Sequence, residues 1–221
     1  MVAPPVMTQV DAPTPTRAVL LDPLSIERLL RERRRTGAHA RDEVWEGVLH
    51  VVPGPSVEHQ NVLLELASIL RQAVAHPSGG LAIQELNTAD PVRELGDFRI
   101  PDVVVLLPGS IPLLKRGLFV AGGPDLVVEV RSPGDETDEK VPFYGRIGVR
   151  ELLVVDAETK RVELLRHDGR MLSRVEATPV ESEVVRLRFE TVERGGRPSL
   201  LVTARDGRTW EVRPLPLPRG E

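Results

Sequence analysis

Apolar residues along this chain recur in two rhythms. Over Ile26, Leu29 and Leu30, and again over Val62, Leu63, Leu66, Ala67, Leu70 and Val74, they return every three or four residues. That is the repeat of a helix with one covered face. Asp22 ahead of Pro23, and Gly37 behind the arginines, mark the ends of the first helix. Proline has no N–H to lose at a first helical position, and glycine tolerates the left-handed turn that stops a helix. Ser56 supplies a capping oxygen to the second. Elsewhere the apolar residues run together, as in Val103–Leu107 and Leu126–Val130, which suits strands covered on both faces. "DEVWEGVLHVVPG" (42–54) reads as one strand closed by Pro-Gly, and "GGLAIQELNTAD" (79–90) as another. "DETDEKVPFYGRIGVR" (135–150) reads as a short helix in which Pro142 limits the start, because a proline deeper in removes a hydrogen bond. "ELLVVDAETKRVELLRHDGR" (151–170) is strand, turn and strand.

This order of elements predicts an α/β fold, a mixed central β-sheet flanked by helices. After residue 170, turn signals at "HDG", "RGG" and "RDG" separate alternating segments such as "SLLVTA" and "RTWEV", the pattern of an antiparallel meander. The domain reading is a disordered proline-rich segment over 1–19 and a core over 20–170. A C-terminal β-meander over 171–213 and a loose tail over 214–221 follow.

Composition narrows the chemistry. The 221 residues are 41% hydrophobic and 28% charged, which predicts a packed core. There is no cysteine, so disulfides, thiolate metal sites and cysteine nucleophiles are excluded. No apolar run approaches the ~18 residues of a membrane span, and the N-terminus lacks the regions of a signal peptide, so no membrane contact and a cytoplasmic location are expected. A net charge of −4 is not that of a dedicated basic DNA binder. Arg33, Arg34 and Arg35 either touch phosphate or form a solvated face that complements the negative helix end. No GxxxxGK[ST] or GxGxxG phosphate cradle is present, and no Ser/His/Asp arrangement stands out from five scattered histidines.

Two carboxylates do not fit the pattern. Asp102 follows Pro101 at the mouth of an apolar run, and Glu129 interrupts Leu126-Val127-Val128 and Val130. A buried glutamate needs a partner or a metal. If these strands are neighbours, the acids converge; at about 4 Å they repel by roughly 4 kcal/mol at an effective dielectric of 20. A divalent cation between them turns that cost into binding, and oxygen ligands favour Mg²⁺ or Mn²⁺. The plainer alternative has Asp102 capping a turn and Glu129 paired with Arg131.

"RIPDVVVL", "LVVEVRSP" and "EKVPFYGRIGVRELLVVD", in that order after "DEVWEGVLHVVPGPSVEHQ", resemble the Uma-type restriction endonuclease family of the PD-(D/E)xK nuclease superfamily. The resemblance spans about residues 20–170 and implies a restriction-endonuclease-like core. Carried over by position, it gives a catalytic set of Glu43, Asp102, Glu129 and Lys140, with Asp102 and Glu129 holding Mg²⁺ or Mn²⁺. Glu43 would aid ligation or orient the attacking water; Glu46 could exchange with it, though strand alternation lets only one point inward. The superfamily expects lysine two residues past the acid, where this chain has Arg131; Lys140 matches a lysine from the following helix. Either fills the basic role, but only lysine can handle a proton. His59 and Gln60 occupy the family's helix opening as support or cap, Gln84 and Glu85 either line the pocket or form a polar strand face, and Tyr144 reads as packing. Asp156 reads as a strand end.

The function implied is a metal-dependent endonuclease acting on nucleic acid, DNA by analogy, with a homodimer expected because duplex cleavage needs two centres. The alternative is a catalytically inactive nuclease fold that binds nucleic acid or a protein partner.

Overall fold

The computed structural model describes residues 22–216; the segment 1–19 expected to be disordered lies outside them, as do residues 217–221 of the expected tail. Helix α1 (Pro23–Thr36) begins where Asp22 accepts the Ser25 N–H at 2.9 Å and stops at Gly37, φ +78°. Arg33 takes neither of the roles weighed for its cluster. It donates to Asp42 at 2.9 Å and to the carbonyls of Ala38 and Val52, pinning the helix to the next segment.

The stretch expected to be one strand is a hairpin, β1 (Glu43–Trp45) and β2 (Val48–His50). Trp45 pairs with Val48 around Glu46 and Gly47, whose φ values of +52° and +87° make the tight reversed turn that matches strand twist. Helix α2 (Val57–Leu70) opens on Ser56, which accepts the His59 N–H at 3.1 Å; a wider turn, Arg71–Ala75, continues it. Then come β3 (Leu81–Gln84), β4 (Thr88–Asp90), β5 (Glu94–Arg99), β6 (Val103–Leu106), β7 (Leu114–Lys115), β8 (Phe119–Ala121) and β9 (Leu126–Arg131). Helix α3 (Thr137–Arg146) precedes β10 (Glu151–Asp156), β11 (Val162–His167), β12 (Leu172–Arg174), β13 (Val180–Glu181), β14 (Leu187–Arg194), β15 (Arg197–Ala204) and β16 (Thr209–Val212).

The strands form three sheets. The central one, β12-β11-β10-β9-β6-β3, is mixed: β9 and β10 run parallel and the rest antiparallel, with α3 as the crossover. One face carries Val103, Val105, Val128, Val130, Leu153 and Val155 into a core shared with α2 and the C-terminal strands. The other carries Val127, Leu152 and Val154 against Phe143 and Tyr144 of α3. Covering on both faces is why these strands read as unbroken apolar runs.

A second sheet, β2-β1-β5-β4-β8-β7, interleaves with it along the chain. The chain leaves β5 for β6, and so changes sheets, at Ile100-Pro101-Asp102. Pro101 has no N–H to continue the ladder, so it marks the crossing. The C-terminal meander is a separate antiparallel sheet, β13-β14-β15-β16; β12 belongs to the central sheet, so the meander begins at Val180, later than the sequence suggests.

The tail expected from residue 214 is tied down at Leu215, whose N–H donates to Glu58 at 3.0 Å and whose carbonyl accepts from Arg197 at 2.8 Å. Glu58 also holds the fully buried Lys160 ammonium at 2.6 Å. Removing one partner of a buried pair strands the other. Burial of Glu58 opposes its ionisation, but Lys160 and the Leu215 N–H outweigh it and lower its pKa below 4.5. Glu58→Ala is expected to cost about 3 kcal/mol in urea unfolding at pH 7. Because a lowered carboxyl pKa contributes stability above the unfolded value and loses it as pH falls, the gap from wild type should shrink below pH 4.5.

Candidate active site

The register of β6 and β9 answers the question of the misplaced acids. Val103 pairs with Val128, so the next step outward sets Asp102 against Glu129. The plainer pairing of Glu129 with Arg131 does not occur. Arg131 is drawn to Asp138 and Glu163, while Glu129 is buried and faces α3. Lys140 and Tyr144 lie one helical turn apart on the face α3 turns toward the sheet. The Tyr144 hydroxyl donates to Glu129 Oε1, and the Lys140 ammonium stands 3.5 Å from the same oxygen.

Glu43 arrives from the other sheet. Its Oε1 accepts from Lys140 Nζ at 2.9 Å and from the Ile100 N–H at 2.8 Å, and its Oε2 from the Trp45 indole at 2.7 Å. Glu43 therefore points inward, and Glu46 does not: it sits exposed in the hairpin turn near Arg146. Asp102 is held at both oxygens, by the Val130 N–H at 2.6 Å and by His59 Nε2 at 2.9 Å. His59 Nδ1 in turn meets Ser132 Oγ at 3.2 Å. Behind the cluster, the Arg99 guanidinium lies 4.4 Å from the Trp45 ring centroid and 4.2 Å from that of Phe143, and bonds the buried Asp97 at 3.0 Å.

Glu43, Asp102, Glu129 and Lys140 are thus brought into one cluster. Gln84 and Glu85 are not: both are exposed, and Glu85 pairs with Arg41. Asp156 closes its turn by accepting the Glu158 and Thr159 N–H groups. Two residues play larger parts than their types announced. Tyr144 is a hydrogen-bond donor to the central acid as well as a core side chain, and His59 is the fixed partner of Asp102. Helical spacing from Lys140 was the available signal for Tyr144. Nothing local pointed His59 to an acid 43 positions away.

Burial dominates the electrostatics. It pushes the Glu129 carboxyl up to about 8, with Asp102 and Glu43 adding to the rise and Lys140 and Tyr144 opposing it. Burial also works against the Lys140 charge, yet Glu129 and Glu43 more than offset it and raise its pKa. Glu43, at 2.9 Å, favours the charged form directly. Lys140 is therefore a fixed cation, which removes the proton-handling use that lysine chemistry would otherwise offer. His59 is raised above 6.5: burial opposes this, and Asp102 overcomes it.

Among the described residues no set of three or more Asp, Glu, His or Cys groups forms a preformed cation cage. Two facing carboxylates nonetheless suit Mg²⁺ or Mn²⁺, which takes one or two protein carboxylates and completes its shell with water and phosphate. The donor set fits the ion.

Without a cation, the buried Glu129 should set the pH dependence of stability. A carboxyl raised in the folded state contributes fully below its unfolded value of 4.5 and loses that contribution as pH rises through about 8. In chelator, unfolding free energy is expected to fall across that range, and Glu129→Gln should flatten the decline.

A model of the Uma2 family, described as "Putative restriction endonuclease", matches residues 27–195. A crystal structure described as "a putative nuclease belonging to DUF820" from Anabaena variabilis superimposes with a TM-score of 0.51 at 19% identity, over 64% of this chain and 79% of that one. At that identity the likeness speaks for the fold alone. No match is found among curated proteins. The family model takes in β1, β6, β9 and α3, the four elements that carry the cluster, and on that match this chain belongs to the Uma2 restriction endonuclease family, whose membership supports a nuclease acting on nucleic acid.

Proposed function

We propose that the protein is an endonuclease that hydrolyses phosphodiester bonds in DNA with Mg²⁺ or Mn²⁺ as cofactor, acting in the cytoplasm as a homodimer. One observation carries the reading: Glu43 and Glu129, from two different sheets, meet at one largely enclosed ammonium, with Asp102 the residue next to the Val103–Val128 pair. A scaffold gains little from burying so many charges, since an apolar substitute is often as stable. Asp102 and Glu129 would hold the divalent ion, which when bound would supply Lewis-acid polarisation of a phosphate oxygen and a more acidic water.

The protein's residues do the rest. Lys140, locked in its charged form, offsets negative charge that builds on phosphorus. Tyr144 fixes the rotamer of Glu129, and His59 with the Val130 N–H fixes Asp102. Glu43, bonded on both oxygens, holds the ammonium, and to it falls the orienting of the attacking water. Attack in line leaves 5′-phosphate and 3′-hydroxyl ends, as in the superfamily this chain resembles.

Nicking of supercoiled plasmid with Mg²⁺ or Mn²⁺ tests the proposal. Asp102→Ala, Glu129→Gln and Lys140→Ala should each lower the rate by at least about 100-fold. Equal nicking by wild type and all three would reveal a contaminant and sink the enzyme reading in favour of a binding module. His59→Ala should weaken Mn²⁺ binding about tenfold in calorimetry, since it removes the group that orients a ligand without removing the ligand.

A further inference from the structure

The hairpin face that carries Glu43 carries another titratable group, and the mechanism above does not use it. His50 stands directly opposite Glu43 in the β1–β2 register, so the two side chains rise from the same face. Trp45 shares that face, two residues from Glu43. Its indole donates to Glu43, and its ring stacks on His50 with centroids 3.9 Å apart and planes 14° apart. His50 Nδ1 lies 3.3 Å from Glu136 Oε2, on the residue just before α3, the helix that brings Lys140. The imidazole is thus held on two sides, by a stacked ring and by a carboxylate. It stays 24% exposed, at the rim of a cluster whose other members are nearly closed off.

Cleavage as proposed leaves a demand unmet. The departing 3′ oxygen needs a proton. Lys140 keeps its proton between Glu43 and Glu129; the Tyr144 hydroxyl is buried and spent on Glu129. His59 has both ring nitrogens engaged, by Asp102 and Ser132. His50 uses only Nδ1, and its Nε2 makes no hydrogen bond among the described residues. The Glu136 carboxylate on Nδ1 and the stacked Trp45 ring fix the imidazole so that, when it is protonated, its Nε2 proton points outward.

We infer that His50, oriented by Glu136, is the general acid that protonates the leaving 3′ oxygen, an inference that rests on the nuclease reading. Water forms the new bond to phosphorus and releases its proton to solvent. The bond from phosphorus to the 3′ oxygen breaks, its electron pair stays on that oxygen, and the oxygen takes the Nε2 proton. Neutral His50 then recovers a proton from solvent. His50 is the catalytic residue of this pair and Glu136 a positioning residue.

The test compares a short DNA duplex, cut at a position mapped beforehand, with the same duplex carrying sulfur in place of the 3′ oxygen at that position. A thiolate leaves without needing a proton. With Mg²⁺, His50→Gln should slow the oxygen duplex by about 100-fold or more and the sulfur duplex by no more than about threefold, and Glu136→Gln should follow the same pattern to a smaller extent. Equal loss on both duplexes would make His50 structural, and no loss on either would remove it from the reaction; both overturn the inference while leaving the nuclease reading intact. His50→Asn provides a second variant if the glutamine change unfolds the hairpin, which thermal melting would detect. Wild type that cuts neither duplex would instead fell the nuclease reading, and this inference with it.

Discussion

The largely enclosed Lys140 ammonium is the constraint on which the rest depends. It reaches Glu43 in one sheet and Glu129 in another, from a helix that belongs to neither. Glu43 also accepts the Ile100 N–H, so the ammonium sits one bond away from the point where the chain leaves the second sheet for the central one. From there Pro101 and Asp102 lead into β6, and Asp102 accepts the Val130 N–H, one residue past Glu129. Fold and site share this seam. Moving α3 would withdraw the ammonium that Glu43 and Glu129 share and leave the two acids without a common cation.

The surrounding layers are built to keep those charges in place at low dielectric. Opposed carboxylates on adjacent strands repel, and here each has a donor: Tyr144 for Glu129, Val130 and His59 for Asp102, Trp45 and Ile100 for Glu43. Arg99 fills the space between Trp45 and Phe143 and is anchored by Asp97, which Arg146 also binds at 2.7 Å. A guanidinium stacked between rings costs less to bury than one in an aliphatic pocket, because the ring faces attract cations. Even so, burial holds the Arg99 pKa below its ordinary value. Little of this adds net stability. It adds position, which is what a reacting centre needs.

Much of this was legible where one residue type has one physical use. Asp22 and Gly37 frame α1 because capping and left-handed backbone are local properties, and Glu129 stood out because a charge in an apolar run has few explanations. The Glu46-Gly47 turn was less visible, since Val48 and Leu49 continue the apolar run that Val44 and Trp45 begin. Only backbone sign at two residues separates a hairpin from a strand there. The division into separate sheets was hidden for a related reason. Pro101 reads equally as a strand start or a crossing, and the choice depends on what β5 and β6 pair with. His59 reads as part of a helix opening, but its partner is fixed by how α2 lies on the central sheet, which no local spacing records.

The departure at Arg131 becomes intelligible in these terms. A side chain two residues past Glu129 lies on the same face of β9 but some 6–7 Å further along the strand. There it finds Asp138 and Glu163, and the guanidinium, once paired, has no reason to turn back. A lysine delivered from α3 approaches from above the sheet instead, and reaches Glu43 and Glu129 together. The helix route also frees the strand position for an arginine, a residue unable to shed its charge. The cation that matters comes from the crossover, so the spacing between β9 and α3, more than the identity of the residue after the acid, decides whether the centre can form.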